Sequence, residues 1–169
     1  MAKLVLTVVG ADRAGLVQAL ADTVAAHGGN WERSELAELA GAFAGIVLVS
    51  VPDDRLEALH DDLHHLDGLL TVTPHEGASD AEPATGDAFV FTVLGNDHPG
   101  IVRDITTALS RGSLSIGSFT SRTLDAPMSG GTLFEATVSV RVADGADLAA
   151  ATAELERLAG EIQVDLTVV

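Results

Sequence analysis

The spacing of apolar positions sets the first outline of this chain. Residues 4–9 (LVLTVV) and 89–94 (FVFTVL) are short apolar runs closed by Gly10 and Gly95, a pattern that predicts strands buried at a sheet centre. Leu16, Val17, Leu20 and Val24, matched later by Ile101, Val102, Ile105 and Leu109, recur at helical spacing and predict one helix face each. A polar strand is expected next, over residues 30–38 and 115–124, then an apolar one over 46–51 and 133–142. In the last of these Phe134, Ala136, Val138 and Val140 alternate with Glu135, Thr137, Ser139 and Arg141, so one face packs and the other is wet. A second helix is expected on Leu56, Leu59, Leu63 and Leu66, or on Leu148, Leu155 and Leu158. Closing strands are expected over residues 69–74 and 162–169.

The two series are copies of one unit. Shifted by 85 positions, LVLTVVGADRAGLV lies over FVFTVLGNDHPGIV, with Val5/Val90, Thr7/Thr92, Val8/Val93, Gly10/Gly95, Asp12/Asp97, Gly15/Gly100 and Val17/Val102 identical. Residues 45–51 (GIVLVSV) meet 134–140 (FEATVSV) at a shift of 89, which implies about four extra residues in the second copy between 124 and 131. Residues 76–87 hold no large apolar side chain and read as a linker. The expected domains are therefore 1–75 and 88–169. Each follows the order βαββαβ; strand parity and right-handed crossovers place both helices on one face of a four-stranded antiparallel sheet, an α+β ferredoxin-like fold.

Composition narrows the chemistry. With 169 residues, each copy must build its core from about 80 residues. The absence of cysteine excludes disulfides, thiolate metal sites and a cysteine nucleophile. Nine basic residues against 25 acidic ones give a net charge of −16, which repels a phosphate backbone and argues against direct nucleic-acid binding. No apolar run approaches the roughly 18 residues of a membrane span, and no cleavable leader is read at the N-terminus, so a cytoplasmic location without membrane contact is expected. Aromatic residues make up only 4% of the chain, too few for a base-stacking RNA module.

What stands out is the loop after the first strand, GADRAGLV over residues 10–17 and GNDHPGIV over 95–102, each opening a helix. A helix start offers unpaired N–H groups and partial positive charge, and a glycine there lets a carboxylate approach the backbone. Asp12 or Asp97 can accept from an ammonium group, and the amide of Asn30 can bond either end of an amino acid. The alternative is that each Asp only caps its helix, with Pro99 in the first turn, a role that contributes about 1 kcal/mol.

In this duplicated βαββαβ setting the loops resemble those of the ACT domain, a small regulatory module that binds amino acids. The two-copy arrangement is similar to the glycine cleavage system transcriptional repressor family. Ala14 stands where that pattern usually has Pro, and Ser115 stands opposite Asn30. The resemblance implies a ligand site drawn from Ala11, Asp12, Gly15, Leu16, Asn30 and Trp31, and from Asn96, Asp97, His98, Gly100, Ile101 and Ser115. The site is expected between domains or subunits. It also implies a small amino acid such as glycine or serine as ligand, a transcription-factor partner, and neither cofactor nor catalysis.

Other residues read differently. His60 and His64 have i,i+4 spacing that can chelate a metal, but Leu56, Leu59, Leu63 and Leu66 fix the buried face of that helix and leave His60 on its flank and His64 and His65 further out among Asp61 and Asp62, so no metal site is expected. His98 beside Asp97 lacks a nucleophile or third group for catalysis. Trp31 either lines a pocket or fills the core, and core filling is the expectation. At a shift of 89, Ile46, Leu48 and Ser50 stand where the second copy has Glu135, Thr137 and Ser139. With Val5 and Val9 they predict an apolar patch on the open sheet face, covered by another sheet in a homo-oligomer or by the second domain.

Overall fold

A computed structural model of the chain describes residues 1–77, 88–125, 131–142, 147, 149–150, 152–153 and 162–168. The chain divides into two units, Met1–Ala81 and Glu82–Val169. In the first, β1 (Ala2–Ala11), α1 (Leu16–Ala26), β2 (Asn30–Leu39), β3 (Ala42–Val51), α2 (Leu56–His64) and β4 (Thr71–Glu76) follow one another, with a short 3-10 turn Asp53–Arg55 before α2. The second has β5 (Ala88–Asn96), α3 (Ile101–Arg111), β6 (Leu114–Asp125), β7 (Thr132–Val142) and β8 (Ile162–Val168). The helix read on Leu148, Leu155 and Leu158 lies outside the described residues.

Both sheets have four antiparallel strands in equivalent orders, β2-β3-β1-β4 and β6-β7-β5-β8. Side chains alternate across each strand, so Leu4, Leu6, Val8, Val47, Val49 and Val51 point to the side where Leu16, Leu20 and Val24 of α1 meet Leu59 and Leu63 of α2. Both helices of the first unit therefore cover one face, and the sheet's other face is open. In the second unit Phe91, Val93, Ala136, Val138 and Val140 pack with Ile101, Ile105, Ala108 and Leu109 of α3. Two expectations on the helix faces change. Val17 and Val102 are exposed, because the buried stripe of each helix runs through i, i+4 and i+8 from Leu16 and Ile101, and the next residue is rotated off it.

The pairing register corrects the extent of the insertion. Ser50 lies opposite Lys3 and Asn30, and Arg141 lies opposite Ala88 and Ser115. β3 and β7 are thus related by 91 positions, so the second copy carries six extra residues beyond the 85-residue repeat rather than four. The difference shows in the hairpins. Leu39 and Ala42 are paired across the two residues Ala40 and Gly41, whereas their equivalents Leu124 and Leu133 are paired across eight. Because both displacements are even, the inward and outward faces are the same in either alignment.

Candidate functional site

Each first strand ends in a loop held by one backbone bond. The Asp12 N–H donates to the Gly41 carbonyl at 2.9 Å and the Asp97 N–H to the Thr132 carbonyl at 2.8 Å, so both loops are tied to the turn end of the adjacent hairpin in the same way. Gly10 is fixed by space: a Cβ there would lie 2.7 Å from the Leu69 carbonyl oxygen. The chain then turns through Gly15 and Gly100 at φ of 92° and 94°, a left-handed conformation that glycine adopts without steric cost.

These glycines, not the aspartates, are the N-cap residues. Their carbonyls accept the first helical bonds, from Ala19 N–H at 2.9 Å and Asp104 N–H at 3.0 Å, and neither helix has a side-chain cap. The capping alternative for Asp12 and Asp97 is therefore corrected. Both residues are exposed at the loop. The N–H groups of Val17 and Gln18, and of Val102 and Arg103, precede the first possible intrahelical bond and remain available with their positive potential. The side chains of Leu16 and Ile101 are buried in the cores, and the Ile101 N–H already donates to the His98 carbonyl at 3.2 Å.

The two loops differ in their cationic neighbours. Arg13 reaches across to donate from Nη2 to the Gly68 carbonyl at 2.7 Å, pinning the first loop to the α2–β4 connection. His98, its counterpart, bonds through Nδ1 only to the Pro99 carbonyl at 3.2 Å. In the second loop the Arg103 guanidinium lies over Gly100 while bonded to Asp104, and Gln18 holds the matching position in the first. Ala11 and Asn96, the last residues of β1 and β5, are exposed beside these loops.

Asn30 and Ser115 are not brought to the loops of their own units. Asn30 begins β2 in the row of Ser50 and Lys3, whereas Ala11, next to Asp12, shares its row with Ala42 and Leu39. Eight residues of β1 separate those rows, roughly 27 Å at the rise of an extended strand. Ser115 and Asn96 are separated likewise along β5. A single amino acid is several times too short to touch both. Trp31 pairs with Val49 and packs on the first core, so it fills the core.

Sequence reading missed a feature shared by both copies. A β-bulge interrupts β2 between Trp31 and Arg33, and an equivalent one interrupts β6 between Ile116 and Ser118. The strand is re-aimed directly after Asn30 and Ser115, as bulges commonly do near functional positions. Nothing in Asn-Trp-Glu-Arg or Ser-Ile-Gly-Ser shares a residue type that marks it, apart from Gly117 in the second copy. A shallow recess of about 140 Å³, lined by Thr120, Ser121, Arg122, Glu135 and Thr137, also lies at the second sheet. Its residues read in sequence only as a wet strand face. His60, His64 and His65 are exposed on or just after α2, with His65 Nδ1 bonded to Asp62 at 3.2 Å; among the described residues no three His, Asp or Glu side chains converge on a metal position. No described helix is long and apolar enough to cross a membrane.

Comparison with known proteins places this geometry. A family model of the ACT domain matches residues 2–73. A structure from Galdieria sulphuraria, solved as an unknown protein, is 28% identical and superposes with a TM-score of 0.85 over 99% of this chain and 98% of its own. A candidate glycine cleavage system transcriptional repressor is 22% identical, with a TM-score of 0.72 over 99% of this chain and 97% of its own, a likeness of fold. No curated protein matches the chain. The match to the ACT-domain model falls within the first unit, and the second unit repeats the first unit's strand order, its loop anchor and its bulge.

Proposed function

We propose that the chain is a non-catalytic regulatory protein that binds a small amino acid through its duplicated loops and passes the binding event to a protein partner. The observation that carries this reading is the pair of uncapped helix starts, each reached through a left-handed glycine and each flanked by an exposed aspartate. A carboxylate fits the free N–H groups and the positive end of the helix, and the ligand ammonium fits Asp12 or Asp97. Asn30 enters such a site only when supplied by a second copy of the fold. Glycine and serine are the favoured ligands on family resemblance. The full-length likeness to a candidate glycine cleavage repressor supports transcriptional control as the output, in the cytoplasm and through a transcription factor, since a charge of −16 disfavours contact with DNA itself. Self-association as a homo-oligomer through Val5, Val9, Ile46 and Leu48 of the first sheet belongs to the same reading.

The test is a thermal-unfolding screen against the twenty amino acids, each near millimolar concentration. A ligand at about 100 times its Kd adds about 2.7 kcal/mol, which raises Tm by several degrees. A selective rise in the wild type, lost in Asp12→Ala, is the expected result. If Asn30→Ala also abolishes it, the site takes residues from two copies of the fold. A flat screen favours the second reading, an interaction module of ACT fold that uses no small ligand.

A further inference from the structure

The first unit joins its two helices through a histidine whose ring is held at both nitrogens. His27 follows α1 as its C-cap residue, and its own N–H donates to the Val24 carbonyl at 3.2 Å. The Thr23 carbonyl, four residues back, is met by the ring instead, with Nδ1 at 2.9 Å. On the other side of the ring Nε2 stands 3.2 Å from Asp62 Oδ2 on α2, and the His27 side chain is only 10% exposed. The second oxygen of Asp62 faces His65 Nδ1 at 3.2 Å, so one carboxylate meets two imidazoles. The second unit has no such contact. Gly112 stands where His27 does after the shift of 85, and its backbone N–H reaches the Ala108 carbonyl, the equivalent of Thr23, at 3.3 Å.

A carbonyl and a carboxylate only accept hydrogen bonds. Both contacts of His27 are therefore made when both ring nitrogens donate, which the imidazolium does and neither neutral tautomer does. A neutral ring that keeps the Thr23 bond turns a lone pair toward the Asp62 oxygen. The negative end of α1 favours the same cation, and the last turn of that helix carries no basic residue to compete with it. Neighbouring charges are engaged elsewhere: just before α2, Asp53 pairs with the N-terminal ammonium at 3.2 Å and Asp54 with Arg55 at 3.9 Å. Gly28 and Gly29, directly after His27, face the apolar Pro52 and Val51. His65 is 80% exposed, and solvent screens its pairing with Asp62. We infer that His27 and Asp62 form a proton-operated clamp, in which a protonated His27 ties the end of α1 to α2 and loss of that proton with rising pH releases Asp62. The clamped helices also carry the first loop, because α1 opens at Gly15 and α2 leads into Gly68, whose carbonyl holds Arg13.

Trp31, the sole tryptophan, packs on the first core, so its fluorescence follows unfolding of this unit. Urea denaturation is read at about pH 5.5 and about pH 8, the range across which an imidazole changes charge. Each variant is compared with the wild type at the same pH, which cancels the titration common to both. At the lower pH the midpoints of His27→Gln and Asp62→Asn are each expected roughly 0.5 M below the wild type. The contribution of the clamp is present while the ring is protonated and lost as pH rises, so at the higher pH the gap is expected to shrink by about half or more. The double variant should be no weaker than either single one at the lower pH, as for two halves of one contact. Asp62 is half exposed, so Asp62→Asn keeps the fold, which circular dichroism checks. His65→Gln should leave the pH dependence in place. Gaps of equal size at both pH values, single effects that add in the double variant, or a pH dependence that vanishes with His65→Gln would overturn the inference. No outcome of the amino-acid screen bears on it.

Discussion

At the residue scale the loops are governed by backbone conformation. Gly15 has no atom within 4 Å of where a Cβ would sit, so Gly15→Ala meets only the cost of a left-handed φ, about 1–2 kcal/mol. Gly10 is not left-handed, but a Cβ there would press on the Leu69 carbonyl and the Leu70 side chain, so Gly10→Ala costs about 1–3 kcal/mol by overpacking. Urea denaturation should therefore show both variants destabilised. Adding Leu70→Ala, which removes one of the two crowding groups, should lessen the penalty of Gly10→Ala and leave that of Gly15→Ala unchanged. The repeated glycines were legible in the sequence as a pattern. Their roles were not, because a capping aspartate and a glycine cap give the same motif, and only the backbone angles and the missing side-chain bond separate them.

At the scale of elements, the β2–β3 hairpin turns on Ala40 and Gly41, both at positive φ (52° and 83°), the geometry of a two-residue type I′ turn. Alanine is a poor residue for the first of these positions. Ala40→Asn should stabilise the first unit by about 0.5–1 kcal/mol, read as a higher denaturation midpoint. This hairpin also presents the Gly41 carbonyl that holds Asp12, so its order sets the order of the loop. In α1, Leu20 is buried among the helices and sheet, and Leu20→Ala should cost about 2–5 kcal/mol. Thermal denaturation would register it as a lower Tm. Element types and order were readable because helical and strand periodicities differ. The exposure of Val17 and Val102 was not, since a helix start with two apolar neighbours does not say which one faces the sheet.

At the scale of the whole molecule, a net charge of −16 imposes self-repulsion on a folded chain. Raising salt from about 0.01 M to about 0.15 M shortens the screening length from about 30 Å to about 8 Å, and Tm should rise; a fall would mean that surface pairs such as Arg33–Glu35 outweigh the repulsion. The sequence by itself determined that a strand, a glycine loop and a helix recur in the same order, and that two further strands follow in each half, because hydrophobic period and local turn chemistry are properties of neighbours along the chain. Register and the spatial separation of residues were decided only by the tertiary structure. An even slip of a strand leaves its inward and outward pattern untouched, so a shift of 89 and one of 91 look alike until hydrogen-bond partners choose between them. Asp12 and Asn30 are 18 positions apart in the chain, yet α1 carries the backbone back down the sheet and leaves them at opposite ends. Nearness in space belongs to the path of the fold, and no periodicity of side chains encodes it.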